Sequence, residues 1–131
     1  MSVIASTAVD SEAGYAQKIT AASHHLTADE PIAAGGTNTG PGPYALLLAA
    51  LGACTSITLR MYAERKGWQL GAIHIDLRHS KGADGADAIT REIRFGASLS
   101  DEQRARLTEI AEKTPVTKTI KAGAVISTHL V

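Results

Sequence analysis

Cys54 is the only cysteine in the 131 residues. No disulfide can form within the chain, no cysteine-based zinc site can be built, and a reducing compartment suits it. No charge of either sign is in excess: Lys plus Arg and Asp plus Glu are 13 each. Charge therefore argues for neither a nucleic acid nor an anionic membrane as partner. The five histidines, His24, His25, His74, His79 and His129, have no metal-ligand spacing. His24 and His25, being neighbours, point to opposite faces of a strand. No metal and no cofactor are expected. Met1 to Val9 has neither a basic start nor a long apolar core, so a secretory leader is not expected there. There are no repeats and no linker composition. One domain over 1–131 is the expectation, in the cytoplasm.

What is present is organised around Gly42 to Gly67, GPYALLLAALGACTSITLRMYAERKG. Pro43 suits the first turn of a helix, where its missing N–H costs nothing. Gly67 suits the residue past a helix end, with Arg65 and Lys66 favourable at the negative pole of the dipole. The spacing predicts a helix over Pro43 to Lys66, about 36 Å long at 1.5 Å per residue. Tyr44 to Cys54 shows no polar side, so burial on every face is expected. An apolar run of about 11 residues falls short of the roughly 20 of a membrane span. A chain this short does not easily surround such a helix with its own sheet. A second copy of the chain, a homodimer, is expected.

Before the helix, Val3 to Val9, Tyr15 to Ala22 and Ser23 to Ala28 read as a small antiparallel meander. Ala33 to Gly42 is a glycine-rich loop. Gly35 to Gly40 has the spacing of a phosphate loop, but Pro41 stands where lysine belongs and no apolar strand precedes it. The glycines are better read as a tight approach to the helix. After the helix, Ile73, Ile75 and Leu77 alternate with His74, Asp76 and Arg78. Beyond the Asp84-Gly85 turn, Ile89, Ile93, Phe95 and Leu99 alternate with Thr90, Glu92, Arg94 and Ser98. These form a hairpin with one buried face. Ser100 to Thr114 reads as an amphipathic helix with a Ser100/Gln103 capping box, Thr114 on its inward face and Pro115 at its end. Gly123 precedes an expected last strand, Ala124 to Val131. The order is βββ-α-ββ-α-β, an α+β fold with antiparallel sheets.

Asp29-Glu30-Pro31, then GGTNTGPGPYALLLAALGACTSITLRMYAERKGW, then SDEQRARLTEIAEKTPV resemble the OsmC/Ohr family, the osmotically inducible and organic-hydroperoxide-resistance proteins. The resemblance runs from about Tyr15 to Val131 and is most specific over Pro43 to Trp68. It implies an interlocked homodimer in which curved sheets wrap a pair of central helices. It also implies reduction of organic hydroperoxides by a peroxidatic cysteine on the central helix. A second cysteine in a C-P-V motif resolves it, and a glutamate and an arginine assist. Carried over residue by residue, Cys54 matches the peroxidatic position. Thr114, in Thr114-Pro115-Val116, holds the place of the resolving cysteine. Tyr44 and Ala45 stand where the glutamate is expected, and no arginine precedes Arg60. The resemblance thus leaves two readings. One is a one-cysteine peroxidase restored by an external thiol. The other is a catalytically silent dimer binding a lipophilic small molecule in an interface pocket lined or flanked by Tyr44, Ala45, Met61, Tyr62 and Trp68. Without the resemblance, a small structural dimer remains.

Overall fold

A computed structural model describes Met1 to Val131. The chain forms two compact units, Met1–Leu47 and Leu48–Val131. In the first, β1 (Thr7–Asp10), β2 (Gln17–Ala21) and β3 (His24–Ala28) make the antiparallel meander, with Ile19 paired to both Val9 and Leu26. The loop after β3 closes on Asp29, which is buried. A Cβ at Gly36 would lie 2.1 Å from the Glu30 carbonyl oxygen, and one at Gly40 would lie 2.2 Å from that of Thr27. Only glycine lets the backbone approach so closely.

The long helix α1 runs Pro43–Lys66, the bounds that Pro43 and Gly67 predict. Gly67 follows it in the left-handed region at φ 71°. The second unit holds most of α1, the hairpin β4 (Ile73–Lys81) and β5 (Asp87–Phe95), α2 (Asp101–Ala111) and α3 (Pro115–Ala122). Ile75 pairs with Ile93 and Leu77 with Arg91 across the hairpin. Leu59, Ala63, Leu70, Leu107 and Ala111 form the core, with Tyr62, Trp68, Ile73, Ile93, Phe95, Leu99 and Ile110 packed around it. The Ser100 capping box forms as expected: Gln103 N donates to Ser100 Oγ, and Ser100 N donates to Gln103 Oε1.

The α+β class and the antiparallel sheets stand, and three details differ from expectation. First, the burial expected on every face of α1 is not supplied by the single chain, the shortfall for which a second copy is expected. Leu51, Gly52, Thr55, Leu59 and Ala63 are buried, whereas Tyr44, Ile57 and Met61 are about half exposed. The helix is long and apolar enough to cross a membrane by length and composition, and 17% of its most apolar window is buried. Within the second unit the inward face meets the hairpin and α2, and Arg91 ties it to α3. Second, the helix expected to reach Thr114 ends at Ala111, and Pro115 opens α3 instead of closing α2. Thr114 caps α3 by accepting from Thr117 N, with proline in the first turn, where a missing N–H is harmless. Third, residues 124–131 form no strand and are exposed. A strand exists only where a ladder accepts it, and this segment meets none in the single chain.

On the inward face of α1, a Cβ built at Gly52 would come within 2.8 Å of Leu77 Cδ1. Gly52 is buried there. Helix and β4 therefore touch at a point where the helix has no side chain.

Candidate functional site

Arg91 enters from the apolar phase of β5, between Ile89 and Ile93, with 11% of its side chain exposed. A buried guanidinium requires acceptors, because losing water without replacing its hydrogen bonds is costly. Arg91 finds them on three elements. Nη1 donates to Thr55 Oγ1 of α1 at 2.8 Å and to Thr117 Oγ1 of α3 at 2.9 Å. Nη2 donates to the Ala111 carbonyl at 3.0 Å, in the last turn of α2, where helix carbonyls lack partners and carry the negative end of the dipole. Glu112 stands 3.8 Å away. A hydrogen-bonded Lys121, and behind it Arg91, hold the Glu112 carboxyl below the usual carboxylate range.

The hydroxyls close the network. Thr55 donates to the Leu51 carbonyl at 2.7 Å, and Thr114 and Thr117 share a 2.6 Å contact. Thr117 also reaches the Ala111 carbonyl at 3.3 Å. Every buried side-chain polar atom has a partner. Arg91 and Glu112 together border two cavities. One, of about 310 Å³, lies against Leu59, Ile93, Phe95 and Leu107. The other, of about 470 Å³, lies against Leu51, Ile89, Thr117 and Ile120.

The residues singled out from sequence fall in several places. Cys54 is partly buried on α1, and the polar neighbour of its sulfur is Thr58 Oγ1 at 4.0 Å, one turn on in the same helix. Thr114 is fully buried and bonds to Thr117, so the two named positions are not hydrogen-bonded to each other. Tyr44 and Ala45 are exposed in the first turn of α1, and Met61 is exposed further along it. Tyr62 is partly buried and belongs to a separate cluster. Its ring meets Trp68 edge-on at 5.6 Å, and its hydroxyl accepts from Arg106 Nε at 2.9 Å. The structure thus does not gather Met61 and Tyr62 on one surface. Arg91, Thr55 and Thr117 are absent from the sequence-derived set. The signal was present: an arginine sits where the Ile89, Ile93, Phe95 alternation calls for an apolar residue.

A central cysteine-bearing helix, a hairpin laid along it and a Thr-Pro-Val helix start define a class, and comparison with known proteins names it. Residues 36–129 match the sequence model of the family described as OsmC-like protein. The chain belongs to that family. No curated protein matches it in sequence. Among solved structures it is similar to a protein of Psychrobacter arcticus 273-4 named for osmotic stress induction and a detoxification response. That match has a TM-score of 0.78 and 16% identity, over 91% of this chain and 90% of that one. An OsmC like protein from Mycoplasma pneumoniae matches with TM-score 0.73 and 18% identity, over 92% and 88%. The organic hydroperoxide resistance protein OhrB of Bacillus subtilis matches with TM-score 0.62 and 23% identity, over 91% of each chain. At these identities the shared property is the fold.

Proposed function

We propose that this OsmC-like protein is a cytoplasmic homodimer and a one-cysteine, thiol-dependent peroxidase for organic hydroperoxides. In the first step, the Cys54 thiolate attacks the distal peroxide oxygen. The O–O bond breaks, the alcohol leaves with a proton, and Cys54 becomes a sulfenic acid. An external thiol then condenses with it, releasing water, and a second thiol frees Cys54 as an external disulfide forms. The observation that carries this reading is a partly exposed Cys54 on the long helix of the family fold; that Thr114 holds the place of a resolving cysteine is what the resemblance implies. The neighbour named for organic hydroperoxide resistance supports the substrate class. The homodimer is supported by the apolar groups that the single chain leaves uncovered: Ile57 and Met61 on α1, and Val125, Ile126, Leu130 and Val131 in the tail.

A second reading is a catalytically silent dimer that binds a lipophilic small molecule. It is favoured by the surroundings of Cys54, whose sulfur meets a hydroxyl and no charged group. Turnover of cumene hydroperoxide with several small thiols separates the two. Slow activity that disappears in Cys54→Ser, with sulfenic or sulfinic acid accumulating and no intrachain disulfide, is the expected result. Absence of turnover with every thiol favours the silent reading. Light scattering is expected to find a dimer, and a folded monomer at micromolar concentration would remove that part.

A further inference from the structure

Nearer its C-terminus α1 is tied by Arg60 to the Gly71 carbonyl and by Tyr62 to Arg106, and beside Cys54 it is tied by Thr55, the residue after the cysteine. Thr55 is fully buried, and Arg91 grips its hydroxyl from β5 at 2.8 Å. The same Arg91 nitrogen holds Thr117, and the other terminal nitrogen holds the Ala111 carbonyl. Successive helix residues are about 100° apart around the axis. Fixing Thr55 inward therefore fixes Cys54 on the shoulder of the helix, between the buried Thr55 and the exposed Ala53.

We infer that Arg91 is a positioning residue for the Cys54 thiol, setting the rotation of α1 through Thr55 and anchoring it to the junction of α2 and α3. Apolar contacts on this helix resist rolling weakly, because hydrophobic attraction has no direction. A hydrogen bond to a planar guanidinium does have one, and Arg91 is itself held at two further points. Lysine could not replace it, since a single ammonium centre does not span three acceptors set around a planar fork. This tie has two hydroxyls and a carbonyl as its acceptors. It joins the cysteine helix to the Thr114 region without a covalent bond. Thr114 contributes by bonding Thr117, the far anchor. Thr114 thus braces the anchor that holds Arg91 on α3.

This inference rests on the reading of Cys54 as the working thiol, but its test does not need turnover. The rate of Cys54 modification by DTNB is measured on the folded protein without denaturant, in wild type, Arg91→Met, Arg91→Lys, Thr55→Val and Leu70→Ala. Thr55→Val keeps the side chain's shape and removes the acceptor, so it serves even if Arg91→Met fails to fold. Arg91→Met and Thr55→Val are expected to change the rate by at least about threefold through freed local motion, with Arg91→Lys failing to restore it. Leu70→Ala, a core change at a residue that lines neither of the cavities Arg91 borders, lowers thermal stability and leaves the rate within about twofold. Wild-type rates in both Thr55→Val and Arg91→Lys would overturn the inference, as would an equal change in Leu70→Ala. A rate that follows Arg91 in a protein without hydroperoxide turnover would leave the positioning intact and remove the peroxidase reading.

Discussion

Two buried charges, one in each unit, are satisfied in opposite ways. Asp29 takes its donors from its own loop. Glu30 N and Thr37 Oγ1 each approach to 2.7 Å and Thr39 Oγ1 to 2.6 Å, with Thr37 N and Thr39 N completing the set. All lie within ten residues of it in the chain. Arg91 takes its acceptors from residues 20 to 36 positions away. The carboxylate organises a loop that folds around it, and the guanidinium joins elements that are already formed. The first arrangement is a local event, while the second requires the whole unit to be assembled, so its loss is felt by every element it touches.

The contrast can be tested by removing each charge. Arg91→Met is expected to cost the most, about 3 kcal/mol in urea unfolding, because it strands buried hydroxyls and a carbonyl on three elements. A loss below about 1 kcal/mol would mean that water takes over these groups, which would reduce the network to surface chemistry. Asp29→Asn is expected to cost less, since Thr37 and Thr39 are exposed and water can reach their donors. Its signature is pH dependence. Hydrogen bonds from the Thr39 and Thr37 hydroxyls hold the Asp29 carboxyl far below its ordinary 3.8. A depressed pKa gives stability that is fully present above the unfolded value and drains away as pH falls below it. The stability difference between wild type and Asp29→Asn should therefore be constant near neutrality and shrink below about pH 4. A difference that is unchanged in acid would show that the amide replaces the carboxylate without loss. Thr117→Val should have the smallest effect, about 1 kcal/mol, because Arg91 keeps Thr55 and the Ala111 carbonyl, and Thr114 still accepts from Thr117 N although it loses the Thr117 hydroxyl.

Legibility from sequence follows the same division between local and distant. The bounds of α1 were readable to the residue because Pro43 and Gly67 act on the backbone beside them. The Ser100/Gln103 box and the β4–β5 alternation were readable for the same reason. Pro115 misled because proline has two local meanings, stopping one helix and starting the next, and only the Thr114 cap decides between them. The tail 124–131 misled because a strand depends on a ladder that the sequence does not carry next to it. Arg91 was the hardest to read. An arginine in an apolar phase marks a break in pattern, but its acceptors, Thr55, Ala111 and Thr117, become neighbours only when β5, α1, α2 and α3 meet.

The empty position at Gly52 has a consequence for variation among relatives. Glycine inside a helix costs about 1 kcal/mol relative to alanine, yet here the missing methyl is where Leu77 sits, 2.8 Å from the vacant Cβ position. The two positions press on one volume, and a methyl at 52 requires the Leu77 side chain to shift or to shrink. Positions 52 and 77 are therefore expected to covary: sequences with alanine at 52 should carry valine or a smaller residue at 77. In this chain the same trade can be made directly. Gly52→Ala alone is expected to destabilise through the clash, despite its better helix propensity, and Leu77→Val in the same molecule should recover part of the loss. A double-mutant cycle with no coupling between the two changes would show that the hairpin simply moves away.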